Sequence, residues 1–129
     1  MEAITDGQFD ELKSEPIIPS SLGIEILVPG SGEAVKIGDR VKVNYSGSFL
    51  DGEEFDSNWN KGNPFIFPGG AGYVIKGWDF GLIGMRVGEK RKLTVPPELG
   101  YGVTGTPGGL IPPNATLVFE VELLGINNQ

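Results

Sequence analysis

The sequence predicts an α+β domain in which a curved antiparallel sheet of five or six strands wraps around one short helix. Three observations lead to this prediction. Apolar residues alternate along several short segments, Gly and Pro separate these segments, and one stretch of the main body has helical spacing. A lone helix needs an apolar surface to cover, and the concave face of a curved sheet provides one. A chain of 129 residues fits one domain with a single modest core.

The strands are predicted from apolar residues that alternate with polar ones, the pattern of a half-buried strand. The alternation is clearest in the last strand, residues 116–126. It also runs from Val41 to Tyr45, in a strand that leads to the Asp51-Gly52 pair, a strong hairpin signal. The basic run at 90–92 is expected on a solvated strand face. The predicted strands are, in chain order, residues 24–28, 41–50, 65–67, 90–95 and 116–126.

One segment predicts a helix. Between residues 74 and 83, apolar side chains stand at Ile75, Trp78 and Leu82, three or four positions apart. This spacing places them on one face of a helix. We therefore expect a short helix here that packs its apolar face against the sheet.

The first 19 residues form an acidic segment that we expect to be a flexible arm, with the folded domain at residues 20–129. The segment has five carboxylate side chains and one lysine. A short helix with Ile4, Phe9 and Leu12 on one face is the alternative interpretation. The segment lacks the basic and apolar regions of a secretory signal, so we expect a cytoplasmic location.

The composition excludes several classes of chemistry. Histidine and cysteine are absent, which excludes Ser-His-Asp and Cys-His catalysis, the common zinc ligand sets and disulfides. We expect no cofactor and no metal. The net charge of −7 argues against nucleic-acid binding, and no stretch approaches the roughly 20 apolar residues of a membrane span. Because no second apolar face is evident, we expect a monomer.

A rigid apolar loop that leads into an aromatic strand predicts a pocket for an apolar ligand. The loop is Leu-Ile-Pro-Pro at 110–113, the strand carries Phe119, and other aromatics lie beside turns. Asp56 follows an aromatic after the hairpin, and Tyr101 lies in the Gly-rich segment 100–109. Alternatives stay open: the aromatics are ordinary core residues, Asp56 is a local turn carboxylate, and Tyr101 covers its own loop.

Six short motifs occur together in an order that resembles one known family. They are Val43-x-Tyr45-x-Gly47, Asp51-Gly52-x-x-Phe55-Asp56-Ser57, Pro64-Phe65-x-Phe67, Val74-Ile75-x-Gly77-Trp78-Asp79, Leu99-Gly100-Tyr101-Gly102 and Leu110-Ile111-Pro112-Pro113-Asn114-Ala115-x-Leu117-x-Phe119-x-Val121-Glu122-Leu123. Across about residues 22–126 the chain resembles the FKBP-type peptidyl-prolyl cis/trans isomerases, the family that binds tacrolimus and rapamycin.

The resemblance implies a role for each residue at a matching position. In the family the tryptophan, here Trp78, lies beneath the substrate proline. The tyrosine at Tyr101 and the backbone N–H at Ile111 are expected to donate hydrogen bonds to ligand carbonyls, and Asp56 to fix the Tyr45 side of the pocket. Phe67 is expected to buttress it. The implied catalytic residues are Tyr45, Phe55, Asp56, Trp78, Tyr101 and Phe119, and the implied substrate- and inhibitor-binding residues are Phe65, Val74, Ile75 and Ile111.

Several positions depart from the family pattern. Lys61 replaces a usual arginine near the aspartate, so an ion pair there would lose its bidentate geometry. Pro68 stands in a Phe-Pro-Gly-Gly step that replaces the usual leucine-glycine step, and Gly109 is one extra residue in the loop over the site. We expect these changes to alter loop shape and inhibitor affinity more than activity.

The resemblance therefore implies a peptidyl-prolyl cis/trans isomerase that acts on Xaa-Pro polypeptides, assists protein folding and is inhibited by tacrolimus and rapamycin. Rotation about an amide makes and breaks no bond to carbon, so the absence of histidine, metal and nucleophile is no obstacle. One alternative is a non-catalytic module that holds Pro-containing segments in the same pocket. The other is a purely structural β domain, which leaves the apolar Pro loop unexplained.

Overall fold

A computed structural model describes residues 18–59 and 61–127. The predicted acidic arm lies outside these residues except for Ile18 and Pro19, and its boundary with the domain stays a prediction. In the described part of the chain, no helix is both long and apolar enough to cross a membrane. The elements are, in order, strands β1 (Gly23–Val28), β2 (Ser31–Ala34), β3 (Arg40–Phe49), β4 (Glu54–Ser57) and β5 (Phe65–Pro68), helix α1 (Lys76–Gly81), strands β6 (Arg86–Val87) and β7 (Lys90–Val95), a 3₁₀ turn (Pro97–Leu99) and strand β8 (Leu117–Ile126).

The main sheet has six antiparallel strands in the order β1-β7-β8-β3-β4, with β5 also paired to β3. The two longest strands, β3 and β8, are neighbours at its centre, and each buries alternate side chains against the core. The helix lies against this buried face, where Trp78 and Leu82 join the core. The predicted α+β class, an antiparallel sheet with one short helix, is confirmed.

The structure differs from the predicted elements in three places. A small second sheet pairs β2 with β6, and neither strand has the apolar alternation that would predict it. β4 extends the hairpin after residues 51–52, but its four residues are too few to show a period. The helix is shorter than residues 74–83, because Ile75 has an extended backbone (φ −60°, ψ 155°) and the helical residues end at Gly81.

Two glycines on one face of α1 allow the helix to approach β7 closely. They stand four residues apart, which places them one above the other on the helix. A Cβ on Gly77 would lie 2.6 Å from Val95 Cγ1, and one on Gly81 would lie 2.7 Å from Leu93 Cδ1. Both strand residues are fully buried, so they have little room to move aside. The position of the helix over the sheet therefore depends on the absence of these two side chains.

Arg91 holds the other end of the contact between the helix and β7. It is buried, so the expectation that the 90–92 run is solvated is wrong for this residue. Its side chain is buried, pairs through Nε with the buried Glu89 carboxylate, and donates from Nη1 to Gly81 O (2.9 Å) and Ile83 O (3.0 Å). The last carbonyls of a helix lack intrahelical partners, so they are free to accept from the guanidinium. A neighbouring carboxylate and these carbonyls together make burial of the charge tolerable.

We expect Gly77→Ala to lower the free energy of unfolding by about 1–3 kcal/mol, because the added methyl overpacks the contact with Val95. Helix propensity alone predicts the opposite sign, since alanine is favoured over glycine by about 1 kcal/mol inside a helix. Urea unfolding measures the difference. The control is Lys76→Ala on the exposed side of the helix, which should change stability by less than about 0.5 kcal/mol. A Gly77→Ala protein as stable as the unmodified chain would contradict the close approach.

Candidate active site

A cavity of about 280 Å³ opens between α1, the sheet and two loops. Nine of the ten predicted site residues line it; Ile111 does not, and Tyr73 joins them. Residues from β3, β4, β5, α1 and β8 meet here, although they lie far apart in the sequence. The lining residues are Tyr45, Phe55, Asp56, Phe65, Tyr73, Val74, Ile75, Trp78, Tyr101 and Phe119.

Trp78 lies at the base, and aromatic rings surround it. Its ring centroid is 5.1 Å from that of Tyr45 and 5.4 Å from that of Phe119, both edge to face. Phe67 packs behind it at 5.7 Å, buried and outside the cavity lining, which is the buttressing position expected for it. Edge-to-face pairs are the favoured aromatic geometry. The indole Nε1–H is buried and has no hydrogen-bond partner among the described residues. The base of the cavity is therefore a rigid aromatic surface.

One wall depends on a glycine in the central strand. Phe55 and Phe119 meet edge to face with their centroids 5.8 Å apart, next to Gly47. A Cβ at Gly47 would lie 2.7 Å from Phe119 Cε1 and 2.8 Å from Phe55 Cζ. β3 must therefore carry glycine at this position for the two rings to pack across it.

Asp56 lines the cavity and bonds to the Tyr45 side chain. The Tyr45 hydroxyl donates a hydrogen bond of 2.8 Å to Asp56 Oδ2. Burial, and secondarily this hydrogen bond and the charge of Asp56, raise the pKa of Tyr45 to about 12. Lys61, in place of the family's arginine, donates from Nζ to Ser57 O at 2.8 Å. The geometry is the one expected if Asp56 holds the Tyr45 ring in place.

Asn58 forms hydrogen bonds with backbone groups of β3 that lie beside the cavity. The sequence did not reveal this role. β4 and β5 pair with different parts of β3, and the side chain of Asn58 bridges the interval between them. Its Oδ1 accepts from Tyr45 N at 2.7 Å, and its Nδ2 donates to Val43 O at 3.2 Å and to Asn63 O at 3.0 Å. Its own backbone N–H donates to Tyr45 O at 3.1 Å. Asn58 thus fixes the backbone that carries Tyr45.

The structure does not support the expectation that the Ile111 N–H is presented to a ligand. This N–H donates to Thr106 Oγ1 at 2.9 Å, while Ile111 O accepts from Thr106 N at 2.9 Å. The side chain of Ile111 is 3% exposed and belongs to the core. The loop satisfies its own backbone here because it must be ordered while partly buried. Sequence spacing alone could not show that Thr106 would take this donor.

Tyr73 is the lining residue that the sequence analysis missed. It is 73% exposed at the mouth of the cavity, directly before Val74. Its loop is held by Asp79 of α1, whose carboxylate accepts from Gly70 N and Gly72 N, both at 3.1 Å. Burial raises the pKa of Asp79, opposed by these two hydrogen bonds. An aromatic adjacent to the Val74-Ile75 motif was the available signal.

The arrangement suits binding of an apolar ring rather than acid–base or metal chemistry. Aromatic and aliphatic side chains dominate its lining, and its one carboxylate bonds to Tyr45. Across residues 18–59 and 61–127, no three acidic side chains gather into a group that could hold a metal ion.

We expect a difference titration of tyrosinate absorbance, unmodified protein against Tyr45→Phe, to show Tyr45 ionising near pH 12. Because the folded pKa lies above the usual value of 10, Tyr45 stabilises the fold fully below pH 10, and this contribution is lost as the pH rises towards 12. Asp56→Asn should lower the pKa of Tyr45 but leave it above 10, since burial is the largest cause. A return to 10 in Asp56→Asn would show that the carboxylate, not burial, controls the group.

Comparison with known proteins gives one consistent result. The sequence profile of the FKBP-type peptidyl-prolyl cis-trans isomerases matches residues 31–124. FK506-binding protein 1 of Dictyostelium discoideum is 51% identical over 105 residues, 80% of this chain and 97% of that protein. A peptidyl-prolyl cis-trans isomerase of Schizosaccharomyces pombe is 48% identical over 111 residues, 84% of this chain and 98% of that protein.

The fold agrees with these matches. The crystal structure of AtFKBP13 has a TM-score of 0.76 and 41% identity to this chain, and the match covers 84% of this chain and 95% of that one. The profile, the relatives and the fold together confirm the family and enzyme class expected from the six motifs, and the chain belongs to the FKBP-type peptidyl-prolyl cis-trans isomerases.

Proposed function

We propose that this chain accelerates rotation about Xaa-Pro bonds by enclosing the proline in the aromatic cavity, and that it assists protein folding in this way. The observation that supports this most is the cavity itself. It has a buried tryptophan at the base, aromatic walls on four strands, and a single carboxylate that is bonded to a tyrosine. A proline ring is small and apolar enough to enter this space.

The mechanism follows from the electronic structure of the amide. Rotation must break C–N resonance, which gives a barrier of ~18–20 kcal/mol. The twisted transition state has less charge separation than the planar amide, so an apolar cavity that excludes water favours it over the ground state. Catalysis needs this kind of differential binding. Lowering the barrier by ~5 kcal/mol would accelerate rotation by a factor on the order of 10³ to 10⁴.

The proposed roles follow from position. Trp78 lies beneath the proline ring, and Phe119, Tyr45 and Phe55 enclose it. Tyr101 is 39% exposed at the rim, where its hydroxyl can donate to a substrate carbonyl. Asp56 and Asn58 are positioning residues, because both act by holding Tyr45.

We propose that Ile75, rather than Ile111, supplies the backbone donor. Ile75 lines the cavity and is the N-cap of α1. The first N–H groups of a helix have no partner within the helix, so they are available to a ligand. The Ile111 N–H, by contrast, already bonds to Thr106. A substrate carbonyl held at the start of α1 would also lie close to Trp78.

We propose tacrolimus and rapamycin as inhibitors. Relatives carry the name FK506-binding protein, and the same cavity would take their ring systems. The cavity volume of about 280 Å³ is at the lower limit for a drug-sized ligand, so a macrolide would also cover the exposed rim. Tyr101, Tyr73 and Phe65 supply apolar surface there. Inhibitor affinity is therefore more sensitive to rim residues than proline binding is.

The defining experiment measures the cis-to-trans rate of a short Xaa-Pro peptide with and without rapamycin. We expect a large acceleration over the uncatalysed rate that rapamycin abolishes. Rapamycin binding without any acceleration would instead identify a non-catalytic module that uses the same pocket. The absence of both rapamycin binding and acceleration would refute both functions.

Proline at residue 75 offers a test of the backbone donor. Ile75 has φ of −60°, a value that proline adopts, so Ile75→Pro removes the N–H with little change of backbone. Its control is Ile75→Ala, which also removes part of the apolar side chain but keeps the donor. We expect kcat/KM of Ile75→Pro to be about five-fold below that of Ile75→Ala, since a hydrogen bond contributes about 1 kcal/mol. Equal values would exclude the Ile75 N–H.

A further inference from the structure

Tyr73 separates the aromatic cavity from a second one. The second cavity has a volume of about 650 Å³ and is lined by Gly38, Arg40, Pro68, Tyr73 and Asn127. Because Tyr73 lines both, the two cavities meet at its side chain. A chain that leaves the aromatic cavity on this side therefore passes over Tyr73 into the second cavity.

Hydrogen bonds between distant parts of the chain fix the walls of the second cavity. Gly38 N donates to Gly69 O, and Gly69 N donates to Asp39 O, both at 2.8 Å. Asn127 Oδ1 accepts from Arg40 N at 3.0 Å. Asp79 holds the loop that carries Tyr73. The shape of this cavity is thus built by the fold rather than by one exposed loop.

Arg40 gives the second cavity a positive charge. It is the one charged residue among those that line it. The neighbouring carboxylate of Asp39 is directed to other groups: it accepts from Lys36 N at 2.8 Å and from Asn127 Nδ2 at 3.3 Å, and it pairs with Lys36 Nζ at 3.8 Å. The aromatic cavity has no basic lining residue, so the two cavities differ in the chemistry they accept.

The distance between the cavities can be read along β5. Phe65 lines the aromatic cavity and Pro68 lines the second one, three residues apart on the same strand. Three steps of an extended chain cover about 10 Å. Because these two side chains point to opposite faces of β5, a substrate passes around the edge of this strand at Tyr73, and an extended segment of about three residues covers the distance.

We infer that the substrate site extends across Tyr73 into the second cavity, where Arg40 receives an acidic side chain of the polypeptide about three residues from the bound proline. The inference rests on the proposed isomerase function and adds a preference for acidic flanking residues. An ion pair so far from the rotating bond stabilises ground and transition states equally. It therefore lowers KM and leaves kcat unchanged.

The test uses eight-residue peptides with one Xaa-Pro bond and Asp, Ala or Lys at the third residue before or after the proline. We expect kcat/KM to favour Asp over Lys by about two- to five-fold in one of the two placements, through KM, as for an exposed ion pair. The preference should shrink in high salt. Arg40→Gln should remove it, and Arg40→Glu should reverse it. Affinities of the same peptides, followed by tryptophan fluorescence, report the preference even without catalysis.

Lys42→Glu is the matched control, because it makes the same change of net charge two residues along β3, outside the lining of the second cavity. It should retain most of the preference for Asp. Equal values for Asp and Lys peptides in both placements, or a reversal by Lys42→Glu as large as that by Arg40→Glu, would overturn the inference. The unmodified enzyme's rate on the Ala peptide tests the proposed function separately, so the two failures are distinguishable.

Discussion

The close contact between α1 and β7 is the constraint on which the active site depends. Gly77 and Gly81 let the helix come nearer to the sheet than any Cβ would permit, and Arg91 holds the carbonyls at its end. With the helix fixed in this way, Trp78 lies between the rings of Tyr45, Phe67 and Phe119. The base of the cavity is therefore in place before a substrate arrives, which reduces the entropic cost of binding.

The residues that line the cavity carry little charge: one carboxylate and no basic side chain. The Tyr45 hydroxyl remains protonated far above neutral pH and donates a hydrogen bond to the Asp56 carboxylate. The remaining walls are carbon-rich, so a planar amide loses hydration on entry without gaining a compensating ionic partner. A twisted amide, with less charge separation, loses less. The apolar lining thus supports catalysis of rotation.

Two ordered loops form the mouth, and each is tied down by its own hydrogen bonds. Asp79 bonds to the loop before Val74, and Thr106 bonds to both backbone groups of Ile111 in the loop before β8. The first loop presents Tyr73 and the start of α1 to the cavity, whereas the second presents Tyr101 and keeps the backbone of Ile111 bonded to Thr106. Besides the contact proposed for Tyr101, substrate contacts beyond the proline are expected on the side of β5 and Tyr73, where Arg40 lies.

The sequence alone determined the strands with clear period two, the α+β class and nine of the cavity-lining residues, because apolar alternation and short motifs are local properties. Tertiary structure decided the rest. Arg91 is buried because helix-end carbonyls and Glu89 meet it there, the Ile111 donor is taken by Thr106, and Tyr73 reaches the cavity because Asp79 holds its loop. Each outcome depends on contacts made in the folded chain, and only for Tyr73 did the sequence offer a local signal, an aromatic beside the Val74-Ile75 motif.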